Sequence, residues 1–134
     1  MILHSEFPQA YAWGDTTLEY VNTYELCQGG PEVGVLKIDG GVVHQGHKFG
    51  GPLLYDAGVV YLPLFDRGLF INDFKLAVIE VQAQQLKVSR FSEPLILLDK
   101  IQGDAIYYFN DLANAMRKMV SISSTPWKTY PLYA

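Results

Sequence analysis

Leu53-Leu-Tyr-Asp-Ala-Gly-Val-Val-Tyr-Leu62 reads as two apolar runs hinged on a polar turn that holds a glycine, and this phrase decides the fold. Asp and Gly tolerate the φ > 0 that a tight turn requires, while Val, Tyr and Leu on either side favour extended chain. The phrase recurs upstream in Val35-Leu-Lys-Ile-Asp-Gly-Gly-Val-Val43 and downstream in Leu95-Ile-Leu-Leu-Asp-Lys-Ile-Gln-Gly-Asp-Ala-Ile-Tyr-Tyr-Phe109. Phe74-Lys-Leu-Ala-Val-Ile-Glu-Val81 and Leu86-Lys-Val-Ser-Arg-Phe91 make a fourth pair around a longer polar turn. Repeated hairpins of this kind predict a mainly β chain, an antiparallel β-meander of about eight to ten strands with at most one or two short helices.

The repeat also bounds the architecture. Two hairpins take roughly 40–45 residues, the size of a propeller blade, and a propeller needs about four or more blades to close. Residues 33–122 hold too little chain for that. An open, bent sheet or a two-sheet sandwich is the expected outcome. Pro63 falls inside an apolar run. A proline cannot donate to a ladder, which predicts a sheet edge or a bulge at that end.

Outside the meander, Leu18 to Leu26 alternates. Leu18, Tyr20, Tyr24 and Leu26 fall on one face and Glu19, Val21, Thr23 and Glu25 on the other, the period of a half-wet strand. Residues 111–120 read either as a helix capped by Asn110 or Asp111 or as a turn followed by a strand with Met116, Val120 and Ile122 inward. The strand is favoured, because it completes the hairpin begun at Tyr107-Tyr108-Phe109. We therefore divide one domain, 1–134, into an acidic and aromatic segment with a strand (1–32), the meander (33–122) and an extended aromatic tail (123–134) that docks on the body.

A chain of 134 residues with 49% hydrophobic and 18% charged residues can bury a core without staples. Cys27 is its one cysteine, so an internal disulfide is impossible, which fits a reducing, cytoplasmic setting. The first residues lack a basic then apolar leader pattern, and no apolar stretch approaches the length of a membrane span. The net charge of −4 is unevenly placed. Residues 1–36 hold Glu6, Asp15, Glu19, Glu25 and Glu32 and no Lys or Arg.

Catalytic signals are sparse. His44-Gln-Gly-His47 is the one histidine pair, but i and i+3 on an extended strand point to opposite faces, so the two converge only if Gly46 bends the chain. Surface or turn histidines are the plainer reading; a small metal-dependent or hydrolytic enzyme using His44, His47 and an acid such as Asp56 is the alternative. Gly41 to Lys48 imitates a phosphate loop, yet the lysine is one place late and Phe49 stands where Ser or Thr is needed. Glu25 and Glu32 flank Cys27 and would raise its thiol pKa, so a half-buried structural cysteine is expected. No cofactor and no metal are expected. Arg117-Lys118 is only a dipeptide in an acidic chain, which argues against nucleic acid as a partner.

Recognition of a protein is what remains. Trp13, Asp15, Glu19 and Glu25 combine a large aromatic with acids close in sequence, suited to anchor and steer a basic partner. Glu19 and Glu25 share one face in this reading and so act together, whereas Tyr20 and Tyr24 are assigned to the core. A third possibility is a structural β-sheet subunit that pairs edges with itself.

The run Phe49-Gly-Gly-Pro-Leu-Leu-Tyr-Asp-Ala-Gly-Val-Val-Tyr-Leu-Pro-Leu-Phe65, with Phe74 to Val81 and Ile96 to Phe109, resembles small bacterial immunity proteins of β-meander type. The likeness spans about half of the chain and lies in hairpin grammar, size and acidity. It implies a cytoplasmic, non-enzymatic protein that binds and inhibits a cognate bacterial toxin, such as a basic nuclease domain.

Overall fold

The computed structural model describes residues 8–26, 30–67, 72–113 and 116–133. Cys27 lies outside them. Among the described residues every regular element is a strand and every strand pair is antiparallel. In chain order the strands are β1 (Ala10–Trp13), β2 (Thr16–Glu25), β3 (Glu32–Ile38), β4 (Gly41–Val42), β5 (Lys48–Phe49), β6 (Leu54–Asp56) and β7 (Val59–Arg67). They continue with β8 (Asn72–Glu80), β9 (Gln85–Ser89), β10 (Leu97–Gln102), β11 (Ala105–Phe109), β12 (Arg117–Ser121) and β13 (Trp127–Pro131). The total exceeds the expected eight to ten because β4 and β5 are two residues long and because both flanks of the meander are strands themselves.

Ten strands form one open sheet in the order β1-β2-β3-β5-β7-β8-β9-β13, with β4 beside β3 and β6 beside β7. The other three form a small sheet, β10-β11-β12. The expected hairpins are all present. Asp39-Gly40 and Ala57-Gly58 are two-residue turns with φ of 49° and 83° and of 50° and 83°. Positive φ at both central residues is the turn whose twist matches that of the strands it joins. The tail docks as β13 on β9, pairing Trp127 with Ser89 through Pro131 with Gln85. Residues 117–121 form a strand, with Val120 and Ile122 packed inward, while Met116 is 70% exposed instead of buried.

The large sheet has apolar side chains on both faces. Leu18, Leu36, Phe49, Leu62, Ile79, Leu86 and Leu132 belong to one cluster, which the sheet curls around. Val33, Phe65, Phe74, Leu76, Ile96, Ile106 and Tyr108 belong to a second, between the opposite face and the small sheet. β7 feeds both, with Val60, Leu62 and Leu64 in the first and Tyr61 and Phe65 in the second. Period-two alternation with both sets apolar is the signature of a strand buried on two sides.

Pro63 does not mark an edge. It is buried in the middle of β7, opposite Leu76 of β8. Its carbonyl accepts from Gly50 N at 2.9 Å, so its nitrogen also faces the β5–β6 side. There β6 pairs only Val59 to Tyr61 and β5 only Leu64 and Phe65. The missing donor thus points into the break between two short strands, where no bond is lost.

β2 departs from simple alternation. Its pairing with β3 slips between Val21 and Tyr24, where Asn22 has φ 54°. Asn22 and Thr23 together oppose Gly34, a β-bulge that reverses the facing of every later residue. A Cβ on Gly34 would lie 2.7 Å from Thr23 Cγ2 and 2.9 Å from the Val21 carbonyl oxygen, so only glycine fits beneath the bulge. Leu18 and Tyr20 accordingly enter the first cluster, while Leu26 packs on the second.

Candidate recognition surface

Four turns and the last described residues gather at one end of the curled sheet. Trp13 of β1 stacks on Tyr55 of β6, which brings the Gly14-Asp15 turn beside the Ala57-Gly58 turn. Leu132 N–H donates to the Gln84 carbonyl at 2.9 Å, joining the chain end to the β8–β9 turn. Tyr133 Oη donates to the Ile38 carbonyl at 3.2 Å and Asp39 N–H to the Thr17 carbonyl at 2.8 Å, which adds the Asp39-Gly40 turn.

Aromatic rings dominate this end. The Tyr11 and Trp13 ring centroids are 5.5 Å apart with planes 17° from parallel, and the Trp13 and Tyr55 centroids are 4.3 Å apart at 8°. Tyr11 and Trp13 lean on the first cluster, so the stack has a fixed base, while Tyr55 is 41% exposed. Burial pushes the Tyr11 and Tyr133 hydroxyls above the usual tyrosine value, and nearby Asp39 pushes Tyr133 further. Beside Tyr55 a cleft of about 590 Å³ runs along Val59, Glu80 and Val81.

Acids lie beside the rings. Asp15 and Asp39 are exposed in two of the gathered turns, which contain no Lys or Arg, whereas Asp56 alternates with Tyr55 and turns to the other face of the sheet, toward Tyr61. Asp39 is held in place, because its Oδ1 accepts from Thr17 N–H at 2.8 Å. The arrangement offers flat apolar area at low entropic cost, with negative charge in the turns beside it, and suits a cationic protein surface.

Of the four residues singled out by sequence, two fall here. Trp13 is the middle ring of the stack and Asp15 lies in the adjoining turn. Glu19 and Glu25 do not share a face. Glu19 pairs with Lys37, and Glu25, past the bulge, pairs with Glu32 on the opposite side of the sheet. Glu19 therefore sits beside a compensating cation, and Glu25 lies at the far end of β2, about 20 Å along the strand. Tyr20 is core, its hydroxyl donating to the Gly50 carbonyl at 2.7 Å, but Tyr24 is turned out by the bulge and is 44% exposed. Sequence reasoning missed Tyr55 and Asp39. Their hairpin phrases were legible, but their meeting with Trp13 and Thr17 depends on the curl of the sheet.

The histidine pair does converge. Residues 43–47 form a turn, with His44 at φ 49° and Gly46 at φ 85°. The two imidazoles stack with centroids 3.9 Å apart, and Tyr130 packs on His44 at 4.6 Å. His47 Nδ1 lies 3.3 Å from the Gln45 carbonyl, which can only accept, so this nitrogen carries the proton. Burial, then the neighbouring His47, lowers the pKa of His44 below its usual value.

Comparison with protein families, with curated proteins and with solved structures found no match for this chain.

Proposed function

We propose that the chain is a non-enzymatic binding protein that covers a basic protein surface, in the manner of an immunity protein neutralising a toxin with a basic, nuclease-like domain. The observation that carries this reading is the Tyr11–Trp13–Tyr55 stack, seated on the core at one side, with exposed Asp15 and Asp39 in the turns beside it. A pre-stacked anchor loses little side-chain entropy on binding, and acids beside it speed capture of a cation-rich partner.

The test is coprecipitation and calorimetry with any toxin encoded beside its gene. Binding should weaken when Asp15 and Asp39 are changed together to Asn, with a slower association rate and a flatter salt dependence. Glu25→Lys, remote from the stack, should leave association nearly unchanged. No binding to a neighbouring toxin, or equal sensitivity to both variants, would remove the proposal.

A further inference from the structure

The small sheet ends in an edge that no described residue pairs. β12 pairs with β11 on one side and with nothing on the other. The direction of its backbone groups follows from the bond just past its end, where Ile122 N–H donates to the Asp104 carbonyl at 2.7 Å. Residues in an antiparallel ladder alternate between bonding the facing strand and turning both groups away. The register from Ala105–Ser121 to Phe109–Arg117 is unbroken, so Val120 and Lys118 bond β11, while Arg117, Met119 and Ser121 point their N–H groups outward. The Ser121 carbonyl is already used by Thr125, from N at 3.0 Å and Oγ1 at 2.5 Å.

The side chains along this edge are apolar and basic. Met119 is 55% exposed, and Met116 and Leu112 nearby are 70% and 41% exposed. Met119 lies opposite Tyr107, whose ring has Lys100 Nζ at 5.1 Å and the Arg117 guanidinium at 4.8 Å.

We propose that this edge is a self-association site: a second copy of the chain pairs antiparallel with β12 about a two-fold axis at Met119, joining two small sheets edge to edge. In that register each Met119 exchanges its N–H and C=O with the other and each Ser121 N–H reaches the opposite Arg117 carbonyl, while each Arg117 N–H faces the Ser121 carbonyl that Thr125 already shares. Arg117, which already reaches Asp99 at 3.2 Å, comes beside the opposite Ser121, whose hydroxyl donates to Asp104. Each guanidinium thereby meets a second carboxylate. On the outer face the order becomes Tyr107, Met119, Met119, Tyr107, with thioethers between rings.

Neighbouring registers are worse. Centring on Lys118 sets two ammonium groups face to face at the closest spacing of the ladder. Centring on Val120 loses the Met119 exchange and turns both Met119 N–H groups onto the Ser121 carbonyls that Thr125 occupies.

The experiment is sedimentation equilibrium of the full chain over a wide concentration range. The wild-type mass should rise from 15.1 kDa toward twice that value. Met119→Pro removes only an outward N–H, so β11–β12 pairing survives, and the dimer constant should weaken at least about tenfold. Its circular dichroism should match wild type. A second readout covers a variant that fails to fold. In a Cys27→Ser background, Met119→Cys should cross-link to itself under mild oxidation, because hydrogen-bonded partners sit about 5.5 Å apart at Cα, within disulfide reach. Met116→Cys, more exposed but off the axis, should cross-link far less. A concentration-independent monomer, a Met119→Pro dimer as tight as wild type, or equal cross-linking at the two positions would each overturn the proposal.

Discussion

The Trp13 indole lies flat on the Tyr55 ring, centroids 4.3 Å apart and planes 8° from parallel, although the two strands that carry them are not neighbours in the sheet. The contact ties the outermost strand, β1, to the three-residue strand β6 across the curl. Tyr55→Ala should therefore cost about 1 kcal/mol of stability, the worth of one aromatic pair beyond its area, and lower the melting midpoint by roughly 4 °C. It should also weaken a basic partner by about tenfold or more if the stack is the anchor. Differential scanning calorimetry measures the first, titration against the partner the second. Unchanged stability would mean that the rings touch without holding the strands.

Gly34 and Asn22 form the two sides of the β2 bulge. Gly34→Ala drives a Cβ against the Val21 carbonyl oxygen, which is backbone and cannot swing away. A loss of about 1–3 kcal/mol is expected from urea unfolding. Asn22→Gly should be nearly neutral, since Asn22 already sits at φ 54°, while Asn22→Val should cost about 1–2 kcal/mol because a β-branched residue resists that region.

Acid should weaken the fold through His44. Its folded pKa lies below the 6.5 of the free side chain, for reasons of burial first and of His47 second. Above pH 6.5 neither the folded nor the unfolded chain carries the proton, and this contribution is complete. As pH falls below 6.5, the unfolded chain takes up the proton first. Stability then drops until the pH passes the folded value. His44→Asn, which keeps a residue tolerant of φ 49°, should flatten the curve between pH 7.5 and 5.5. Chemical denaturation at a series of pH values gives the comparison. A wild-type protein that gains stability relative to the variant on acidification would contradict the sign.

Ser89 is almost fully buried and completes the ladder where β8 and β9 part. Its hydroxyl accepts from Leu76 N–H at 2.9 Å and donates to the Phe91 carbonyl at 2.9 Å. Ser89→Ala leaves the Leu76 amide without that partner in the core, at a cost of about 1–3 kcal/mol. The Leu76 amide should also lose hydrogen-exchange protection, which distinguishes this effect from a general loosening.

What could be read from the chain was local. The Asp39-Gly40 and Ala57-Gly58 turns announce themselves within four residues, and the strands on either side follow from side-chain type. Features set by a distant neighbour were not legible. The reversal at Asn22 depends on a glycine in the next strand, and the inward Pro63 depends on a break between β5 and β6. The candidate surface divided along the same line. Trp13 and Asp15 sit next to one another in sequence and in space, but Glu19 and Glu25 were grouped by a period that the bulge interrupts. The imidazole stack needed positive φ at a histidine, which nothing in its residue type demands.

Two cores in one short chain suggest two bodies that could part, and β7 forbids it. The same nine residues that line one cluster with Val60, Leu62 and Leu64 line the other with Tyr61 and Phe65. Loosening either side frees the backbone that the other side needs. The protein therefore has no half to shed, and a single all-or-none melting transition is expected, with cooperativity built into strands that both clusters share.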